Sequence, residues 1–262
     1  ICACLVGSEM CIRDSFQTMF TNDIYFWQAF RNTLILSLIK LFLNTGAAVI
    51  ISLLLNEITN MIFKKTVQTI IYLPHFMSWV VVASVFKMLL APYDSAPVNS
   101  ILINMGVIDT AVDFMNSTAY WRGTFYVMNV WKDTGWGTIL FLATLSGISP
   151  DLYEAAQIDG ANRWKRLIYI TLPALANTII TVFILNLAKV MNLFESVFVL
   201  MNDAVYDVSN VLQTFVYYKT FGGGRPDYGY TTAVGLFRSV VSGVLVIICN
   251  YASKKVRGRG IV

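Results

Sequence analysis

Charge is scarce in this chain. Only 13% of its 262 residues are Asp, Glu, Lys or Arg, and 56% are hydrophobic, whereas soluble domains carry about 25% charged residues. The composition is that of a membrane protein, and a formal net charge of +4 is too small to argue for nucleic acid. Histidine occurs once, at His75, with no Ser, Cys and acid arrangement around it in the sequence, which argues against a catalytic group set or a metal-ligand set. The four cysteines, Cys2, Cys4, Cys11 and Cys249, have a spacing that suits neither zinc nor a disulfide framework. Cys249 reads as a small apolar side chain within the last apolar run. The glycine run of Phe221–Tyr230 (FGGGRPDYGY) lacks the Gly-Lys-Ser/Thr ending of a phosphate-binding loop. No cofactor or metal is implied, and any ATP chemistry must come from a partner. No internal repeat is apparent.

What the chain has instead is long apolar runs. About 20 residues cover a bilayer core, and five runs are long enough. The first is Asn32 to Leu55, with Lys40 as its one charge. The second, Val67 to Leu90, contains Pro74, which should kink it, and His75. His75 reads either as part of a substrate or gating path or as hydrogen-bonded to a carbonyl freed by Pro74. The third, Gly123 to Gly147, carries Lys132 and Asp133, flanked by Trp131, Gly135, Trp136 and Gly137. Charges in mid-bilayer are costly and should face the bundle interior or a wet cavity. With the flanking tryptophans they are either a stretch that could meet the hydroxyls and rings of a polar solute, were the chain a transporter, or an internal ion pair that fixes packing. The fourth, Ala174 to Met201, sets Lys189, Asn192 and Glu195 along one stripe, with Asn186 beside them and Ile184, Leu187 and Val197 opposite. The fifth, Thr231 to Tyr251, is interrupted by Arg238. The links 91–120 and 202–230 are polar. Residues 16–31, rich in Phe, Tyr and Trp, suit an interfacial segment or ordinary packing against neighbouring helices.

Between the third and fourth runs lies the most water-compatible segment, residues 149–173. Ser149 can cap a helix, Pro150 suits its first position and Asp151 the positive end of its dipole. Ala155 and Ala156 are small enough for close approach to another surface. Asp159-Gly160 should stop the helix, because Gly accepts the left-handed conformation. A second short helix is expected from Asn162, with Arg163, Lys165 and Arg166 around Trp164. Pro173 should open the next apolar run as a first-turn proline.

Five spans divide the links into two sets. One holds nine cations: Lys64, Lys65, Arg163, Lys165, Arg166, Lys254, Lys255, Arg257 and Arg259. The other holds Lys219 and Arg225 among six aspartates. The positive-inside rule puts the first set, and with it segment 149–173 and the C-terminus, in the cytoplasm.

Glu-Ala-Ala, three residues, Gly, nine residues, Ile, one residue, Leu-Pro stands here as Glu154, Ala155, Ala156, Gly160, Ile170, Leu172 and Pro173. This resembles the cytoplasmic loop of permease subunits of binding-protein-dependent ABC importers. One departure is Leu167, where many members have Phe. Tyr72–Val81 (YLPHFMSWVV) and Tyr230–Phe237 (YTTAVGLF) resemble the sugar branch, within it the permeases for oligosaccharides. The resemblance implies an all-α, polytopic helical bundle of the type I importer fold, in the bacterial cytoplasmic membrane. It implies ABC ATPase subunits, a second related permease and an external substrate-binding protein as partners. Glu154, Ala155, Ala156, Asp159, Gly160, Ala161, Arg163 and Lys165 would contact the ATPase. Lys132, Asp133, Asn186, Lys189, Asn192, Glu195 and His75 are the candidates for a substrate path.

The permease core is expected over 32–252 and a basic tail over 253–262. Residues 1–15 fit the rest poorly: Ser8–Ser15 (SEMCIRDS) resembles a translated sequencing adapter, the alternative being a short Cys-bearing leader. Family members commonly have an additional first span, so six spans are expected of the native chain. The competing functions are an ion-coupled secondary carrier using Lys132, Asp133, Lys189 and Glu195, and a membrane-embedded enzyme. A plain amphipathic loop is the bland alternative for 149–173.

Overall fold

The computed structural model describes residues 12–21, 23–222 and 227–257. Residues 1–11 of the expected leader, the middle of the glycine run with Arg225, and the tail beyond 257 with Arg259 lie outside them. Among the described residues all regular structure is helical. In chain order the helices are α1 (Ile12–Thr21), α2 (Ile24–Asn56), α3 (Met61–Tyr72), α4 (Trp79–Leu89), α5 (Pro97–Asn104), α6 (Thr118–Ser146) and α7 (Pro150–Ile158). Then follow α8 (Arg163–Arg166), α9 (Leu172–Ala188), α10 (Phe194–Leu200), α11 (Tyr206–Ser209), α12 (Leu212–Phe221) and α13 (Tyr228–Arg257).

Among the described residues, three helices are long and apolar enough to cross a membrane: Ile24–Asn56, Arg163–Ala188 and Tyr228–Lys255. Met61–Phe76 with Trp79–Leu89 makes a fourth if the broken pair is one span. Helix α6 has 29 residues, about 43 Å at ~1.5 Å per residue. It has the length of the expected third span but not its apolarity, because Arg122, Lys132 and Asp133 sit within it.

The chain forms two compact units, one from residues up to 39, 78–126 and 187–248, the other from 40–77, 127–186 and 249 onward. In the first, the aromatic residues ahead of the first apolar run pack together. Phe26 is fully buried, and its ring lies 5.4 Å from both Trp27 and Phe237, while Tyr25 is exposed. Link 91–120 is ordered around buried Asn99. Its amide donates to the carbonyls of Ala91 (2.9 Å) and Val112 (3.1 Å) and accepts from the Val112 N–H (3.1 Å). Asn32 likewise donates to the carbonyls of Asp207 and Asn210 and accepts from Arg122. Buried polar groups need such partners, since an unpaired one costs about 1–3 kcal/mol. Asp23 caps α2 through the Phe26 N–H (3.1 Å) and accepts from the Tyr230 hydroxyl (2.7 Å).

In the second unit the core is Ala48, Leu55, Phe141, Leu142, Leu145, Leu175 and Val182. Small residues set the spacing of α6. A Cβ at Gly135 would run into the Ile71 carbonyl, and one at Gly137 would lie 2.9 Å from the Ala48 Cβ. Thr144 and Thr178 share a hydrogen bond of 2.9 Å.

Two expectations change where helices break. The second run does bend, by 104° between Met61–Phe76 and Trp79–Leu89, but at a break rather than as a kink at Pro74. Pro74 opens a 3₁₀ turn, Leu73–Phe76, and the break comes after it, where Met77 is extended (ψ 141°) and Ser78 caps α4 through the Val81 N–H. The 3₁₀ turn tolerates the proline because its missing N–H falls at a helix start. The fourth run is not continuous either. Helix α9 ends at Ala188, turns follow through Asn192, and α10 starts at Phe194. The stripe counted at 3.6 residues per turn therefore does not exist as one helical face, although Ile184, Leu187 and Val197 are buried as expected.

Candidate functional site: the exposed helical turn and the buried charges

Segment 149–173 begins as its residues dictate. The Ser149 hydroxyl accepts from the Asp151 N–H (3.3 Å) and Pro150 occupies the first turn of α7. Asp159 ends the helix. Gly160 takes φ +74°, with its N–H donating to Gln157 (3.1 Å) and the Ala161 N–H to Ala156 (2.9 Å). This pair of bonds is the Schellman motif that satisfies the last carbonyls of a helix. Space around Gly160 is open, so the backbone angle alone demands glycine. Asn162 then caps α8 by accepting from the Lys165 N–H (2.9 Å).

One expectation is corrected here. Pro173 does not start a helix: α8, a π turn over Leu167–Thr171 and α9 run together from Arg163 to Ala188. The π turn shifts the bonding by one residue, with the Leu172 N–H donating to Leu167. That helps the helix accommodate a proline whose ring and missing N–H disturb regular α bonding. A residue the sequence did not single out, Tyr153, shares a 3.0 Å hydrogen bond with Thr171 and ties α7 to this turn.

The surface is unusual for a water-facing turn. Glu154, Ala155, Asp159, Gly160, Arg163 and Lys165 are exposed, with Ala156 and Ala161 half-buried. Ile158 is 87% exposed and Trp164 71%. Large apolar side chains grouped on a charged rim mark a surface to be covered.

The buried charges form a second constellation. Lys132, 6% exposed, donates to the His75 carbonyl (2.9 Å). Asp133 lies 3.7 Å from the Lys40 ammonium and 3.4 Å from His75 Nδ1. Nδ1 makes no hydrogen bond among the described residues, so the contact is an ion pair when the imidazole is protonated. The ring stacks on Trp136 at 5.1 Å. His75 thus faces Asp133 rather than a carbonyl freed by Pro74. Lys40 is the member missed in the sequence; a lone mid-span cation needing a partner was the available signal.

The remaining candidates are not brought into this cluster. Asn186, Lys189 and Glu195 are exposed. Asn192 accepts from the Gln213 amide (3.3 Å) and lines a cleft of about 490 Å³ with Arg238, Ser239 and Ser242. Arg238 also lines a neighbouring cleft of about 290 Å³, there together with Gln213.

Residues 44–258, including the turn at Gly160 and, of the charged cluster, His75, Lys132 and Asp133, match the family described as "Binding-protein-dependent transport system inner membrane component". The chain belongs to that family. This permease is 38% identical to Protein LplB of Bacillus subtilis (strain 168) over 249 residues, 95% of this chain and 76% of the relative. It is 36% identical over 258 residues to the polygalacturonan/rhamnogalacturonan transport system permease protein YteP of the same organism, covering 98% and 78%. Its fold matches a chain of a bacterial alginate ABC transporter, solved in complex with an alginate pentasaccharide-bound periplasmic protein. There the TM-score is 0.87 at 34% identity, over 95% of this chain and 84% of that one. The permease is therefore a helical, multi-pass membrane subunit of an ABC importer. These relatives lend the ion-coupled carrier no support.

Proposed function

We propose that this permease moves oligosaccharides, and that ATP is hydrolysed only by partner ATPases, which grip the exposed turn of residues 149–173. The observation that carries the reading is that turn: a capped helix stopped by a left-handed glycine, presenting Ile158 and Trp164 to solvent among Glu154, Asp159, Arg163 and Lys165. A groove on an ATPase would cover the apolar pair and meet the charges at its rim. Closure of the ATPase dimer would push α7. The Tyr153–Thr171 bond and the continuous helix to Ala188 would carry that displacement into the helices of the same unit, a rigid-body step of an alternating-access cycle. An external binding protein delivers substrate and a second, related permease completes the pathway.

The sugar class follows the relatives, whose names include polygalacturonan/rhamnogalacturonan, arabinooligosaccharides and lactose, and a solved transporter of the acidic polysaccharide alginate. Asn186, Lys189, Asn192 and Glu195 are the proposed path residues, with Asn192 in the larger cleft. The cluster of Lys40, His75, Lys132 and Asp133 is assigned to bracing the helix break rather than to substrate, because Asp133 faces both Lys40 and His75 and Lys132 is held by the His75 carbonyl.

Co-expression with the proteins encoded beside it tests the coupling turn. An ATPase should co-purify with the native chain and be lost from a Glu154→Arg, Gly160→Pro variant. Equal recovery from both would overturn the assignment.

A further inference from the structure

Among the described residues, Arg238 is the one cation lining the two neighbouring clefts, and it lines both. It sits ten residues into α13, a helix long and apolar enough to cross a membrane. No Asp or Glu among the described residues lines either cleft. Two other cations of the same unit are engaged, Lys219 with Asp23 at 3.9 Å and Arg122 with Asn32 at 2.9 Å. Among the described residues, no hydrogen bond or ion pair reaches Arg238. A guanidinium within a membrane helix is kept where something anionic or wet meets it. Beside it, the Gln213 Oε1 atom is buried without a hydrogen-bond partner, while the Gln213 amide holds Asn192. Along the smaller cleft, Phe194, Tyr217 and Phe221 make a continuous aromatic wall, with centroids 5.5 and 5.3 Å apart.

These groups sort by what they can bind. The aromatic wall suits the apolar face of a pyranose ring. An unpaired amide oxygen accepts from a hydroxyl, and Ser239 and Ser242 offer donors and acceptors. The unpaired guanidinium presents a planar fork that matches a carboxylate with two parallel bonds. We propose that Arg238 and Gln213 form a uronate-reading subsite, and that the substrate is an acidic oligosaccharide whose sugar carboxylates pair with Arg238. The inference rests on the oligosaccharide reading above and narrows it.

The test uses the complete transporter, with both permeases, the ATPases and the binding protein, reconstituted in liposomes. The probes are labelled trigalacturonate, trimannuronate and neutral maltotriose. The native complex should take up a uronate trisaccharide in preference to maltotriose. Arg238→Gln, used as an assembled complex isolated by gel filtration, should lose roughly tenfold or more of that uptake at subsaturating substrate. Arg238→Lys, which keeps the charge but not the fork, should fall between. Uptake of maltotriose alone overturns the acidic substrate and leaves the sugar importer standing; uptake of none of the three overturns both readings. Unchanged uronate uptake by Arg238→Gln overturns the subsite. So does failure of that variant to assemble while Arg238→Lys assembles, since Arg238 would then pair with the second permease.

Discussion

Gly160 offers the sharpest quantitative test, because only one property of glycine is used there. Its φ of +74° lies in the left-handed region, and a Cβ would meet nothing within 4 Å. A clash therefore contributes nothing, and the dihedral cost stands alone. For an ordinary L-residue that cost is about 1–2 kcal/mol. Asn tolerates the conformation better than Ala and should cost less. Pro cannot reach φ +74° and also removes the N–H that donates to Gln157 at 3.1 Å, adding about 0.5–1.5 kcal/mol for the bond. The expected order of function is Gly, Asn, Ala, Pro. If the turn must hold this shape to be gripped, Ala should weaken ATPase binding by roughly 5- to 30-fold, since ~1.4 kcal/mol is a factor of ten. The assay is titration of the ATPase onto permease in nanodiscs, followed by substrate-stimulated ATP hydrolysis. Equal affinity for Gly and Ala, or Asn no better than Pro, would refute the reasoning.

Other expectations follow from the same geometry. Gly135→Ala should destabilise by about 1–3 kcal/mol, because its methyl meets the Ile71 backbone. Gly123→Ala in the same helix, with open space around it, should be neutral or slightly stabilising; thermal unfolding of the two in detergent separates these. Asp133→Asn leaves Lys40 without its carboxylate (3.7 Å) and should cost about 1–3 kcal/mol, given partial exposure. Adding Lys40→Met should restore part of that loss in a double-mutant cycle; strict additivity would refute the pair. Tyr153→Phe removes the bond to Thr171 and should lower sugar uptake per ATP hydrolysed while ATPase binding persists. Loss of binding instead would place Tyr153 in the contact itself.

The segment around Gly160 was readable because its rules are local. A cap at Ser149, a stop at Gly160 and a new cap at Asn162 each act within a few residues, and the structure has all three. Pro173 misled because the π turn ahead of it absorbs a defect that usually ends a helix. The breaks after Phe76 and Ala188 were not legible in a hydropathy pattern, since apolar residues flank both and the few polar ones between, Ser78, Lys189 and Asn192, also fit a continuous helix with a polar face.

By itself, then, the sequence determined the membrane class, the helical content and the capped turn at Gly160, because desolvation of long apolar runs and capping of helix ends are decided by residues near one another in the chain. Only the tertiary structure decided the partners of Lys40, the close packing of Gly135 on Ile71 and the company of Arg238. Lys40 and Asp133 are 93 positions apart. Which of several buried charges, glycines or amides will meet is set by how separate helices pack, and no local pattern records that choice.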